Sequence, residues 1–380
     1  MILSVGNFFF SIFSSLVSII LFPYLSLYIP SLSIGFVIAG SAIAGILVFP
    51  FLPEVVEQYG PQKIALVLSL IEIVVLFGLA AAPGPIGAVI LMAVTIAMQP
   101  FLAYQFDLLV EATVADTNTT GQVRAIFRTA WSSAALAAPL LLGALLATSD
   151  SYSRVFLAAA ATLVPIIMLF VLRELPQGPP PMLEHMHNTL VRIVKNKDLA
   201  AVTLGNLILY LFLAWMPLYV PFYLHNILHF PWSDLGWIFA LMLIPYVVIE
   251  YPAGWIADKY LGDKELMYMG YFIAGASTAA VSLITPATSL ITILIILVSS
   301  RIGAALIESM VEAHFFRRIN HRDINTIGAF RSVWPLSYII GPMVASSILI
   351  LTNYPTFFFL IGIFIAGAGI VTTFFITDFQ

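Results

Sequence analysis

The sequence predicts an all-α integral membrane protein of twelve transmembrane helices, set as two parallel, pseudo-symmetric six-helix bundles. Three observations carry this: an extreme apolar composition, twelve apolar runs of membrane-crossing length, and an internal repeat that pairs the two halves. Of the 380 residues, 61% are apolar and 9% charged, against about 45–50% and about 25% in a soluble domain. Mean hydropathy is +1.04. No soluble core hides so much apolar surface, so lipid is the solvent for most of the chain. That excludes soluble enzymes and nucleic-acid binders. Cysteine is absent, which excludes disulfides and thiol chemistry. The six histidines have no metal-ligand spacing, so neither a metal nor a cofactor is expected.

The runs, read between their breaks, are 4–28, 33–53, 63–82, 86–112, 123–147, 153–173, 201–225, 234–255, 265–284, 288–313, 326–350 and 355–376. Each is close to the roughly 20 residues that cross a bilayer. The breaks carry turn chemistry, as at Pro30-Ser31, Pro83-Gly84-Pro85, Ser149-Asp150-Ser151, Pro231-Trp232-Ser233-Asp234 and Asn353-Tyr354-Pro355. Runs this long exclude a β-barrel, whose strands alternate over about ten residues. The opening MILSVGNFFFSIF has no basic leader and reads as a first span, not a removed signal peptide.

With the N-terminus inside, thirteen of the fifteen Lys and Arg residues lie in inner loops or at inner helix ends; Arg154 lies outside and Arg301 in mid-span. The bias puts both termini in the cytoplasm, in the plasma membrane. The longest loop, 174–199, is the domain boundary between bundles 1–173 and 200–380. Pro176–Pro181 reads as extended chain. Met182, Met186, Leu190, Ile193 and Val194 then recur at helical spacing, predicting a short amphipathic helix on the membrane surface.

The halves match at a nearly fixed offset. Gly6-Asn7 answers to Gly205-Asn206 at 199, and Glu57, Tyr59 and Lys63 to Asp258, Tyr260 and Lys264 at 201. Val110-Glu111-Ala112 matches Val311-Glu312-Ala313 at 201, and Phe127-Arg128 with Trp131 matches Phe330-Arg331 with Trp334 at 203. Ordered matches through five successive spans are not noise. Parallel halves of this kind place a substrate site at their interface near the midplane.

Between spans 8 and 9, Gly254-Trp-Ile-Ala-Asp258-Lys259-Tyr-Leu-Gly262-Asp-Lys264 resembles the signature loop of the major facilitator superfamily, G-x-x-x-D-[RK]-x-x-G-x-[RK]. The copy between spans 2 and 3, Pro53 to Lys63, is degraded. Ala138-Pro139-Leu-Leu-Leu-Gly143 faintly resembles the antiporter motif of that family, and we read it, like Gly341-Pro342, as a helix-packing device. The resemblance implies transport by rocking of two six-helix halves. It also implies a cytoplasmic gate in which Glu57 approaches Arg331 and Asp258 approaches Arg128, while Glu312 and Glu111 bond the same arginines.

Ionisable residues at membrane depth are costly and mark function by default. Arg301, Glu308 and Glu312 share one helical face of span 10, and the repeat puts Asp107 and Glu111 at the acidic positions in span 4. Arg301 reads either as a ligand for an anionic solute or as an ion-pair partner of Glu308. Glu308, Asp107 and Glu72, deep in span 3, are candidate proton-coupling carboxylates. Asn7, Gln99, Asn206, Tyr210, Trp334 and Tyr338 complete a candidate substrate cavity with Arg301. His225 and His229 lie on the outer face.

The function expected is secondary active transport of a small polar or anionic organic solute, coupled to protons or another ion, by a monomer in the lipid bilayer. The alternative is proton-antiport efflux of lipophilic compounds, and the remote one a non-transporting sensor. No P-loop supplies ATP chemistry, and GxGD, GxSxG and HExxH are all absent, so an enzyme is not expected.

Overall fold

The computed structural model describes residues 2–48, 51–113, 120–175, 186–319 and 324–377. Twelve helices in it are long and apolar enough to cross a membrane: Ile2–Leu25, Ser31–Val48, Pro61–Ala80, Pro85–Val110, Thr129–Leu146, Tyr152–Leu172, Lys197–Ile227, Trp232–Leu261, Asp263–Leu283, Leu290–Arg318, Ala329–Leu351 and Tyr354–Phe374. They are called spans 1 to 12. No strand occurs among the described residues.

Helix starts follow local chemistry. Spans 3, 4 and 12 open with Pro61, Pro85 and Pro355 in their first turns, where a missing N–H costs nothing. Ser289 and Asn353 cap spans 10 and 12 by accepting from Thr292 N and Thr356 N. Before spans 3 and 9 the chain turns at Gly60 (φ 79°) and Gly262 (φ 86°), a left-handed conformation that favours glycine. Gly262 is the last glycine of the signature-like loop, and the degraded copy keeps the same turn at Gly60.

The sequence reading is refined in three places. Span 2 stops at Val48, and a separate helix, Leu52–Tyr59, follows. That helix buries Leu52 and Val56 against Ile64 and Phe101 and leaves Glu54, Glu57 and Gln58 exposed. Span 8 is not one continuous helix: its pieces are Trp232–Leu241, Ile244–Val248, Glu250–Ile256 and a π-helical turn at Ala257–Leu261. Similarly, Ile324–Arg331 is separate from Val333–Leu351. A proline ring clashes with the carbonyl four residues before it. Pro245, Pro252 and Pro335 stand four residues after Leu241, Val248 and Arg331, where the three helices end. The linker helix is Met186–Lys195, with Ile193 buried and Arg192 Nη2 donating to Thr326 Oγ1 at 2.7 Å. Met182, Glu184 and Pro176–Pro181 lie outside the described residues.

The chain forms two compact units, Met1–Met182 with Leu218–Ala240, and Leu183–Pro217 with Leu241–Gln380. Within the first, span 1 packs on spans 5 and 6, span 3 on spans 4 and 6, and span 2 on span 4. The outer half of span 7 and the start of span 8 belong to this unit: Phe22 meets Tyr219 and Phe222 with ring centroids 4.8 Å apart in each pair. A Cβ on Gly236 would lie 2.7 Å from the Pro139 carbonyl oxygen and 2.8 Å from Gly143 Cα. The Pro139–Gly143 segment is therefore a close-packing face for span 8.

The second unit repeats the scheme. Span 9 packs on spans 10 and 12, and the pieces of span 8 pack on span 10. Small residues let these backbones touch: a Cβ on Gly275 would lie 2.6 Å from Ala366 N, and one on Gly270 3.0 Å from the Gly303 carbonyl oxygen. In a bilayer, where lipid removes the hydrophobic drive between helices, such close van der Waals packing holds them together.

Candidate functional site

In the second unit, spans 7, 10 and 11 converge on Arg301. The side chain is 2% exposed, and its guanidinium lies over the Phe212 ring, 5.1 Å from the centroid. Its charge acts on the Tyr338 hydroxyl, and the Trp334 ring meets Tyr338 edge-on at 6.3 Å. Trp334 is exposed. Arg301 Nε is buried without a hydrogen-bond partner. A guanidinium is planar and offers its donors in its own plane, so this unpartnered Nε is suited to a planar or anionic group. Three sequence candidates, Arg301, Trp334 and Tyr338, thus come together, and Phe212, which the sequence reading missed, completes the group. Tyr210 lies two residues before Phe212, half-buried.

The other polar candidates are placed differently. Asn7 Nδ2 donates to the Phe127 carbonyl at 2.9 Å, and Asn206 Nδ2 to the Phe330 carbonyl at 3.4 Å. Both asparagines are 3% exposed, so their amides tie adjacent helices together. Ser11 does the same toward the Trp131 carbonyl. Gln99 Oε1 accepts from Ser14 Oγ at 3.1 Å.

Of the carboxylates, Asp107 is exposed, Glu308 and Glu312 are half-buried, and Glu72 is buried. Glu57 and Arg331 are exposed. The side chains of Glu111, Arg128 and Asp258 lie outside the described residues. Lys259 of the signature-like loop sits over Trp255 and Tyr260, 5.0 and 5.3 Å from the ring centroids.

Two further polar groupings appear. At the turn between spans 7 and 8, a pocket of about 580 Å³ is lined by Thr148, Asp150, His225, Asn226, His229 and Trp232, among others. His225 is held there: Nδ1 is 2.9 Å from the Phe230 carbonyl oxygen, Nε2 is 3.5 Å from Asp150, and the ring lies 4.6 Å from that of Trp232. In the second unit, His314 lies between Asp198 (3.2 Å) and Asp263 (3.6 Å). Arg317 bonds Asp263 at 3.0 Å, and Arg318 bonds Asp198 at 2.9 Å. Thr377 N donates to Asp198 Oδ1 at 2.6 Å. The sequence signal was the basic end of span 10, Arg317-Arg318, which needs nearby anions. It does not say which ones.

A family model described as Major Facilitator Superfamily matches residues 3–323 and 220–379. The chain belongs to the major facilitator superfamily. It is a multi-pass membrane transporter of that superfamily, for a small-molecule substrate. No curated protein sequence matches it. Among solved structures it is similar in fold to the nucleoside transporter NupG, with 15% identity, 98% of this chain and 96% of that one covered, and a TM-score of 0.76. A variant of NupG gives 16%, 98%, 97% and 0.75. A bacterial homologue of the iron transporter ferroportin in an inward-facing state gives 15%, 98%, 96% and 0.73. Within this superfamily member, the Arg301 group is the best-formed candidate for contact with the solute.

Proposed function

We propose that the protein is a secondary active transporter that moves a small polar or anionic organic solute by alternating access, coupled to protons. The observation that carries the reading is Arg301, a buried cation between Phe212 and Tyr338 with an unpartnered Nε. A charge at that depth is retained at a cost, and its aromatic surround suits a planar solute with an anionic or carbonyl group. Gln99 and Tyr210 are secondary candidates. Asn7 and Asn206 act in packing. The exposed carboxylate of Asp107 cannot face lipid, so it opens on water and supports an aqueous path. With no P-loop in the sequence, an ion gradient drives uphill movement. The bundles are residues 1–173 and 200–380, joined by 174–199; the basic-residue bias supports cytoplasmic termini, and the membrane proposed is the plasma membrane. Glu57, Asp258, Glu111, Glu312, Arg128 and Arg331 form the cytoplasmic gate.

Proton-antiport efflux of lipophilic compounds is the second reading, favoured by the exposed rings of Trp131 and Trp334. A thermal-shift screen of a solute library on purified protein identifies the ligand class. Uptake of the hit into proteoliposomes under imposed pH gradients of either sign then gives direction and coupling. Stabilisation by anionic or polar planar solutes, lost in Arg301→Ala, supports the first reading. Stabilisation by cationic lipophiles alone, unchanged in Arg301→Ala, overturns it.

A further inference from the structure

We propose that Glu72 is a proton-binding site inside the first unit and that it carries the coupled proton. This rests on the proton-coupled reading above and deepens it by naming the carboxyl. Glu72 sits in the interior of span 3, is 2% exposed, and has no hydrogen-bond partner at either carboxyl oxygen. Its polar neighbour is Thr95 of span 4, fully buried, whose hydroxyl is also without a hydrogen bond. Glu72 lines a narrow void with Phe13, Leu68, Met98, Gln99 and Leu102, too small to hold a water molecule. Beside it Gln99 is bonded to Ser14 of span 1. Spans 1, 3 and 4 therefore meet at one carboxyl and three neutral polar side chains.

No counter-charge reaches this place among the described residues. Span 1 carries no Asp, Glu, His, Lys or Arg. On span 3 the other charge is Lys63, about 13 Å along the axis at 1.5 Å per residue. Span 4 brings Asp107, about 18 Å along its axis from Thr95, and Glu111 at its end. Span 6, which packs on span 3, brings Arg154 in its first turn, bonded to Thr148, and Arg173 just past its end; the helix Leu52–Tyr59, packed on span 3, brings Glu54 and Glu57, both exposed.

A carboxylate without water, counter-ion or hydrogen-bond donors is held neutral in such surroundings. The proton then resides on Glu72. Ionisation requires the void to widen and take up water, which requires spans 1, 3 and 4 to part. Proton affinity at Glu72 thus depends on conformation, which is what linkage between a proton and a transport cycle needs. Asp107 is exposed and Glu308 half-buried, so neither is enclosed as Glu72 is. The repeat mate of Glu72 is Ile273, so the site belongs to one half only.

Two measurements test this, and neither needs the transported solute. Infrared spectra of the purified protein at neutral pH should show a protonated-carboxyl C=O band that disappears in Glu72→Gln. The chain has no cysteine, so a single Met98→Cys reports wetting of the void by maleimide labelling, normalised to an exposed Ser149→Cys control. The normalised rate should rise at least tenfold from acid to alkaline pH with Glu72 present. It should be flat with Glu72→Gln, and the rise should be restored in part by Glu72→Asp. A wild-type spectrum without the band, or equal pH dependence in the Gln variant, overturns the proton site. A band lost in Glu72→Gln with pH-independent labelling in both makes it a structural proton and overturns the coupling. Failure of a pH gradient to drive solute in proteoliposomes while both signals hold would instead sink the proton-coupled reading itself.

Discussion

Asn206 makes in the second unit the hydrogen bond that Asn7 makes in the first. Each amide donates to the carbonyl of the phenylalanine that precedes Arg331 or Arg128, on the neighbouring helix of its own unit. The repeat of the sequence is thus a repeat of packing chemistry. Asn7→Ala and Asn206→Ala each remove one side-chain hydrogen bond between neighbouring helices. Each should cost about 1–2 kcal/mol, toward the lower end inside a membrane. Thermal unfolding in detergent should show the loss, with KM for the transported solute unchanged. A raised KM without a stability loss would make either residue a substrate contact.

Gly236 meets Gly143 where spans 5 and 8 touch. A Cβ on Gly143 would lie 3.0 Å from Gly236 Cα and the Trp232 carbonyl oxygen, whereas one on Gly236 would lie 2.7 Å from the Pro139 carbonyl oxygen. Backbone atoms cannot yield as a flexible side chain does. Gly236→Val should therefore lower the unfolding temperature and transport more than Gly143→Ala does. Equal tolerance of both would show that the helices have room to part.

The cluster around Asp198 joins the start of span 7 to the end of span 10 and the segment after span 12. Asp198 accepts from Thr377 N and Oγ1 and pairs with Arg318 and His314. Asp198→Ala removes the acceptor shared by Thr377, Arg318 and His314, although His314 keeps Asp263 and Arg318 keeps the Thr377 carbonyl. The cost should fall below the roughly 3–5 kcal/mol of a fully buried pair, because Arg318 is 30% exposed; about 1–3 kcal/mol is expected. Limited proteolysis should then cut the chain after Phe374 at least several-fold faster than in the wild type. Unchanged cleavage would show that other contacts hold this segment.

Much of the fold was legible because hydropathy reports directly on lipid as solvent: each of the twelve runs became a span. Turn chemistry was legible for a local reason, since Gly60 and Gly262 stand where the backbone must reach positive φ. The breaks in span 8 were written in Pro245 and Pro252 but were masked by a continuous apolar run. The site was only partly legible. Arg301 stood out because a buried charge is costly wherever it points. The side-chain direction of Asn7 or Asn206 depends on neighbours more than a hundred residues away, so a polar residue in a span reads equally well as cavity lining or helix contact. The Asp198–His314–Asp263 cluster was missed for the same reason: its partners come from three helices, and no local spacing joins them.

Arg301 gives the sharpest functional prediction. Its guanidinium lies over the Phe212 ring and near Tyr338, so charge and planar shape can be separated by substitution. Arg301→Ala removes both. Arg301→Lys keeps the charge as a compact, strongly hydrated point that neither stacks nor offers a planar fork. If the fork orients an anionic or carbonyl-bearing solute, Arg301→Ala should abolish transport, and Arg301→Lys should raise KM at least tenfold with kcat less affected. Arg301→Ala should insert at normal levels, because removing an intramembrane charge relieves an insertion cost of at least about 2.5 kcal/mol, and Arg301→Lys should too, because it leaves that charge as it was. Phe212→Leu, which keeps apolar bulk but removes the ring beneath the guanidinium, should weaken binding less than Arg301→Ala. Transport assays of the four proteins, scaled to folded protein by size-exclusion fluorescence, decide the matter. Normal kinetics in both Arg301→Ala and Arg301→Lys would reduce Arg301 to a structural residue and put lipophilic efflux ahead.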